Sequence, residues 1–229
     1  MKTFKQYIFE SGEKAGNFEV DKISIEDAVK YANKVFGEPV ENIIPNFEGN
    51  FKKAQKLDKI GKTSRKEMPV IEDYQVKALQ RKLAHGSIDV NKPYADNDDP
   101  FPEGLTGKQA EEFLLKGFHD KKLKDDVIKV QKFTSSSSSL KPIQKQIYLD
   151  KCLDATAQFG IDGTKKFLTS SLMIKSSDDF IIDGHHRWMS SLLIDPNIKL
   201  TGISIDLGIN KLLPMLKAYG DAIGNKRNR

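Results

Sequence analysis

Phe180-Ile181-Ile182-Asp183-Gly184-His185-His186-Arg187-Trp188 is the stretch on which the fold turns. Three strand-forming apolar residues run into an aspartate, and the glycine behind it permits a sharp turn and close backbone approach. From His185 an apolar periodicity through Trp188, Met189, Leu192 and Leu193 predicts a helix that ends at Asp195, before Pro196. A strand turning on glycine into a helix leaves the first helical amides pointing outward. Their unsatisfied donors and the helix dipole favour an anion there. Arg187 adds a donor fork suited to phosphate, and the two imidazoles can donate hydrogen bonds or shuttle a proton. Asp183 can hold a metal ion or orient a histidine. Adjacent histidines on a helix cannot face the same way, so one of the pair is expected to be structural. His85 and His119 lie in unrelated segments, and no Cys or His spacing supports a zinc site.

Outward from this stretch the pattern continues to alternate. Leu172–Lys175 reads as a strand joined to Phe180–Ile182 by a Ser-Ser-Asp-Asp turn. Val127–Phe133 reads as a strand, and the serine run Ser135–Ser139 after it as a flexible linker or loop. Lys141-Pro142-Ile143-Gln144 leads into a helix through Ile147, Leu149, Leu153 and Ala157 that closes near Gly160. Leu200–Leu207 gives another strand and Ile209–Ile223 a last amphipathic helix. This alternation predicts an α+β fold, a compact mixed sheet with packed helices.

Three regions separate by composition: an arm over 1–20, a helical N-terminal extension over 21–125, and the α+β domain over 126–229. In the extension, Ser24 can cap a helix running from Ile25 to the stop at Gly37. Met68–Leu83 repeats the pattern, with Val70, Ile71, Tyr74, Ala78 and Leu79 on one side. Thr106-Gly107-Lys108-Gln109 can open a helix through Phe113, Leu114 and Leu115, and Asn91–Pro102 reads as loop.

With 38% apolar and 30% charged residues among 229, the chain can bury a core, and no run of eighteen apolar residues spans a membrane. Met1–Ile8 lacks the apolar run of a secretory signal. The single cysteine, Cys152, sits among apolar neighbours as a buried inert thiol, which suits a reducing cytoplasm. A net charge of +5 is compatible with a polyanionic partner but modest for a dedicated nucleic-acid binder. The basic residues gather in a run, Lys52, Lys53, Lys56, Lys59, Lys62, Arg65 and Lys66, and in a tail of Lys226, Arg227 and Arg229.

The strand-Asp-Gly-His-His-Arg-helix element resembles the signature of the ParB/sulfiredoxin-like fold, whose members hold nucleotide phosphates on a Gly-x-x-Arg turn. Leu140-Lys141-Pro142-Ile143-Gln144 resembles that fold's apolar-x-Pro-x-Gln element, about forty residues upstream. The resemblance covers residues 126–223. It implies a nucleotide-binding phosphohydrolase or phosphotransferase using ATP, ADP or CTP with magnesium, or alternatively a ParB-like nuclease acting on nucleic acid. Gly184 and the amides of His185 and His186 would then cradle phosphate, Arg187 would neutralise it, and His186 would be the better phosphate ligand of the pair. Asp183 would hold the metal or activate the attacking group, with Lys141, Ser138 and Ser139 adding contacts. Gln144 stands where some phosphotransferase relatives carry an acid, and a glutamine cannot serve as general base. His185 stands where sulfiredoxins carry their catalytic cysteine, which argues against that reduction. The chain after the last helix leaves no room for the helix-turn-helix of partition proteins. Separately, Met1–Ser11 resembles the leader of proteins from T4-like phages, with Ile8-Phe9-Glu10 fitting a prohead-protease cleavage pattern. That origin would suit a third reading, a virion or host-interaction protein with a vestigial nucleotide site.

Overall fold

The computed structural model describes residues 18–92, 94, 108–109, 125–225 and 227. The expected leader, most of the arm, the tail positions Lys226 and Arg229, the helix through Phe113 and nearly all of the Asn91–Pro102 loop lie outside the described residues.

Helix α1, Ile25–Phe36, forms as its ends dictate. Ser24 Oγ accepts the Asp27 amide at 3.1 Å, and Gly37 closes the helix in the left-handed region at φ 73°. A short α2, Val40–Ile43, leads into α3, Phe47–Asp58. Helix α4 spans Asp73–Ala84 and starts five residues later than the periodicity predicts. Met68 before Pro69 is held extended, and Glu72 and Gln75 cap the helix reciprocally, so Val70 and Ile71 belong to its extended lead. Tyr74, expected on the apolar side, is 79% exposed.

The second half supplies β1 (Val130–Ser136), β2 (Lys141–Pro142), α5 (Leu149–Ser170), β3 (Leu172–Ser176), β4 (Phe180–Asp183), α6 (His185–Ile194), β5 (Lys199–Ile205) and α7 (Ile209–Ala222). Five strands form one mixed sheet in the order β1-β5-β3-β4-β2. The β1–β5 and β3–β4 pairs are antiparallel, while β3–β5 and β2–β4 are parallel. The α+β class and the β3–β4 hairpin are as the sequence predicts. Strand β1 begins three residues later than expected. Helix α5 breaks at Gly160, where φ is 65° and ψ 177°, and then resumes to Ser170 instead of closing.

Ser135–Ser139 is not a flexible linker. Ser135 and Ser136 end β1, and Ser137–Ser139 make one 3-10 turn. Ser137 is fully buried: its amide donates to Ile198 O, its hydroxyl to Pro196 O, and its carbonyl accepts Trp188 Nε1 at 2.8 Å. The Ser137 carbonyl satisfies the indole N–H and its hydroxyl ties the turn to Pro196, a tertiary demand that composition does not reveal.

The period-two alternation of the strands sends neighbours to opposite faces. Met173, Ile181 and Leu200 face a cluster with Phe47, Phe51, Leu153, Trp188 and Leu192. Ile174, Ile182, Ile203 and Ile205 face a second cluster with Leu79, Leu83, Leu212, Leu216 and Tyr219. The sheet is therefore covered on both faces. The N-terminal helices contribute to each side, α1 to α3 to the first and α4 to the second.

The chain changes sides through residues 59–72, which run past the edge of the sheet beyond β2. The Lys62 and Thr63 amides both donate to Ile143 O, at 2.8 and 2.9 Å, and Lys145 N–H returns to Thr63 O at 2.7 Å. Thr63 and Gln144 form a parallel bridge that prolongs the edge. Gly61 permits this approach, since a Cβ there would collide with the Gln144 carbonyl. Arg227, expected in a basic tail, instead turns inward. It is 7% exposed, paired with Asp221 at 2.5 Å and Glu67 at 2.9 Å. A guanidinium flanked by two carboxylates is neutralised inside the fold and adds nothing to an external basic surface. Among the described residues no helix is long and apolar enough to cross a membrane.

Candidate functional site

Strand β4 delivers Asp183 to the sheet end, and Gly184 sits at the N-cap of α6 with φ 91° and ψ 26°. The turn is thus at a helix start, as the sequence predicts, and the first-turn amides of His185, His186 and Arg187 have no carbonyls within their own helix to bond. Trp188 N–H is the first to reach back, to Gly184 O at 2.8 Å.

Both histidines are occupied, and by the same segment. His185 is 3% exposed, and its Nε2 accepts the amides of Ile143 and Gln144 at 3.3 and 3.2 Å. His186 Nε2 accepts the Tyr148 amide at 3.2 Å, and its ring stacks on Tyr148 with centroids 6.3 Å apart. Successive positions on a helix diverge, yet residues 143–148 wrap around its first turn, so both rings reach them. Expecting only one structural histidine underestimates this segment. Nitrogens that accept amide protons must be unprotonated, and the surroundings keep them so. Burial pushes His185 down to about 3, against a hydrogen bond with the Ile181 backbone, and Arg187 adds to the fall. Burial also holds His186 well below the ordinary value, helped by the charges of Arg65 and Lys151. Each imidazole therefore stays neutral, its Nε2 committed to backbone amides of residues 143–148.

Arg187 folds back on Asp183, with Nη2 2.6 Å from Oδ2. Its guanidinium lies over Gly184, where a Cβ would come within 3.0 Å of Nη2 and of Met173 Cε. Glycine is needed here twice, for its positive φ and for this packing. The Asp183 side chain is 40% exposed, so the pair is half open to water and is worth no more than about 1 kcal/mol. Lys141 is drawn elsewhere. Its Nζ donates to Asp178 O at 3.2 Å and lies over the Phe180 ring, at the far end of β4. Ser138 and Ser139 bond to Pro196 and Ser136, beside the other end of α6.

Gln144 does lie at the turn, 6% exposed, with its amide on His185 and its side-chain Nε2 buried and unpartnered. Beside it are residues that the sequence reading leaves unassigned. Lys151, in the first turn of α5, has its Nζ buried with no hydrogen-bond partner, 6.0 Å from the centroid of the Tyr148 ring. Burial and the charge of Arg65 pull its proton affinity down. Ser64 Oγ is likewise buried and unpartnered. The Arg65 guanidinium makes no hydrogen bond or ion pair with the described residues, although the Arg65 amide is held by Gln146 Oε1 at 3.1 Å. One signal in the sequence pointed to Lys151: a lysine in the first turn of a helix opposes the dipole. It becomes visible only once the helix start is fixed at Leu149.

Cys152 is 1% exposed, with its thiol pushed well up by burial, as expected of an inert cysteine. Among the described residues no group of three or more His, Cys, Asp or Glu side chains is placed to hold a metal ion. Comparison with family models, with curated proteins and with solved structures finds no match.

Proposed function

We propose that this chain binds the phosphate groups of a nucleotide at the β4–α6 turn and hydrolyses or transfers them, on a ParB/sulfiredoxin-like framework. The observation that carries this reading is an excess of buried donors with no acceptor. Gln144 Nε2 and Lys151 Nζ are buried and unpartnered on the segments that hold the two histidines: the Gln144 amide donates to His185, and Lys151 lies over the Tyr148 ring that stacks on His186. Buried polar groups are satisfied in folded proteins, so a cation and an amide left open at a helix start call for an anionic ligand. Arg187 joins by exchanging its bond to Asp183 for phosphate oxygens, and Asp183 is then released. A lone carboxylate suits a magnesium ion that arrives on the nucleotide and keeps most of its ligands from phosphate and water. Such an ion would add charge neutralisation at the phosphate. ATP, ADP and CTP, each with and without magnesium, form the first panel. A nucleotide that binds only the native state raises the melting temperature, by an amount equivalent to about 2.7 kcal/mol at one hundred times its dissociation constant. A panel in which no nucleotide shifts melting overturns the reading.

A second reading, nuclease action on a nucleic-acid backbone, is favoured by Lys52, Lys53, Lys56, Lys59, Lys62 and Lys66, all exposed on α3 and the crossing segment. Binding through these charges falls steeply with salt. Salt-insensitive binding, or cleavage that survives Asp183→Ala, removes it.

A further inference from the structure

Segment 59–72 carries Ser64 and Arg65 past the corner where α5 and α6 both begin. Arg65 is close enough to depress the proton affinity of both Lys151 and His186. Two cations are therefore held near one another, with neither paired to a carboxylate among the described residues. Asp150 and Asp154 favour the charge of Lys151 without pairing with it, and cations whose donors meet no acceptor oppose folding unless an anion joins them. The open donors are an ammonium, a guanidinium, an amide N–H₂ and a hydroxyl. A cation would add to the repulsion, and a neutral ligand would leave the charge of Arg65 unpaired. A single compact group with two negative charges and several acceptor oxygens satisfies all four.

We infer that Ser64 and Arg65 complete an anion pocket with Lys151 and Gln144, and that the pocket takes a phosphate dianion, either free or as the terminal phosphate of a nucleotide. This rests on the nucleotide-phosphate reading and adds that the N-terminal half supplies part of the site. It also sets the ligand apart from a nucleic-acid backbone. A phosphodiester carries one charge and continues as a chain on both sides, so it neutralises one cation where two wait. Arg65 here is a binding residue, because its guanidinium touches the phosphate oxygens.

The test is titration calorimetry on the full chain with three probes: inorganic phosphate, ATP, and a short oligonucleotide without terminal phosphate. The proteins are wild type, Arg65→Ala, Arg65→Gln, Ser64→Ala and Lys151→Met. Wild type binds phosphate, ATP or both. Phosphate alone marks the free ion as ligand, and ATP alone marks a nucleotide's terminal group. Arg65→Ala and Arg65→Gln each weaken that binding by about tenfold or more, and Ser64→Ala by less. Without ligand, Arg65→Ala melts at or above wild type, since one of two like charges is gone. Three results overturn the inference. Undiminished binding by both Arg65 variants while Lys151→Met loses it removes the N-terminal contribution and leaves the turn reading standing. Tighter binding of the oligonucleotide than of phosphate and ATP removes the dianion. A large fall in ligand-free melting of both Arg65 variants makes Arg65 a structural residue. A wild type that binds none of the probes ends both readings.

Discussion

Asp58→Asn should stabilise the protein in neutral and alkaline solution and leave it almost unchanged in acid. Asp58 ends α3, is 3% exposed, and has no hydrogen-bond partner on either carboxylate oxygen. Burial pushes its carboxyl up from 3.8 to about 7, and the nearby charges of Asp21 and Glu19 add to the rise, against a weak contact with the Asp21 amide that falls short of hydrogen-bond geometry. The folded state thus keeps a proton that the unfolded chain releases near 3.8. Between these values the folded form binds more protons, so stability falls as pH rises from about 4 to about 7 and then levels off. A rise of this size costs the ionised form roughly 4 kcal/mol. Asparagine keeps the shape of the protonated acid and cannot ionise. The variant should match wild type near about pH 3 and exceed it by up to about 4 kcal/mol near about pH 8.5. In a chain of this length that is a melting shift of about 10 °C. Urea denaturation of both proteins at several pH values measures the difference directly. A gap that does not grow with pH, or a variant weaker than wild type at alkaline pH, refutes the argument.

Further substitutions at three positions probe the turn and Arg227. His185→Ala removes the acceptor of two buried amides and should cost about 1–3 kcal/mol for each amide left open, read by chemical denaturation. The same ring, held down to about 3 in the folded state, makes wild type lose stability as pH falls from about 6.5 towards 3, and His185→Gln should blunt that loss. Gly184→Ala places a Cβ at φ 91° against Arg187 and Met173 and should cost about 1–3 kcal/mol in thermal unfolding. Arg227→Ala strips Asp221 of its two-point guanidinium contact and Glu67 of its partner and should lower the melting temperature, with little recovered by lysine.

What could be read from the sequence was local. Ser24 and Gly37 bound α1 because capping is decided by the residues themselves, and Gly184 marks a helix start for the same reason. The serine run was misread because its order comes from Trp188 and Pro196, about fifty residues or more away. The direction of Arg227 is set by Asp221 and by Glu67, 160 positions earlier. Asp183, Gly184 and Arg187 are legible as one motif, but the open donors of Ser64, Arg65 and Lys151 are not. Whether a lysine has a partner is a fact about three dimensions, and no periodicity records it.

The crossing of the chain from one face of the sheet to the other has a kinetic consequence. Its second half is tied down by residues made much later: Asn225 Nδ2 donates to Val70 O at 2.6 Å across 155 positions, and Arg227 holds Glu67. Closing loops of that length before any reward is gained slows folding, so this protein should fold through a late docking step. Until residues 225–227 have left the ribosome, the segment bearing Ser64 and Arg65 is held by its Ile143–Gln146 edge and by the packing of Met68 and Ile71 but lacks these ties. The wall of the corner would then reach its final position only after that late docking.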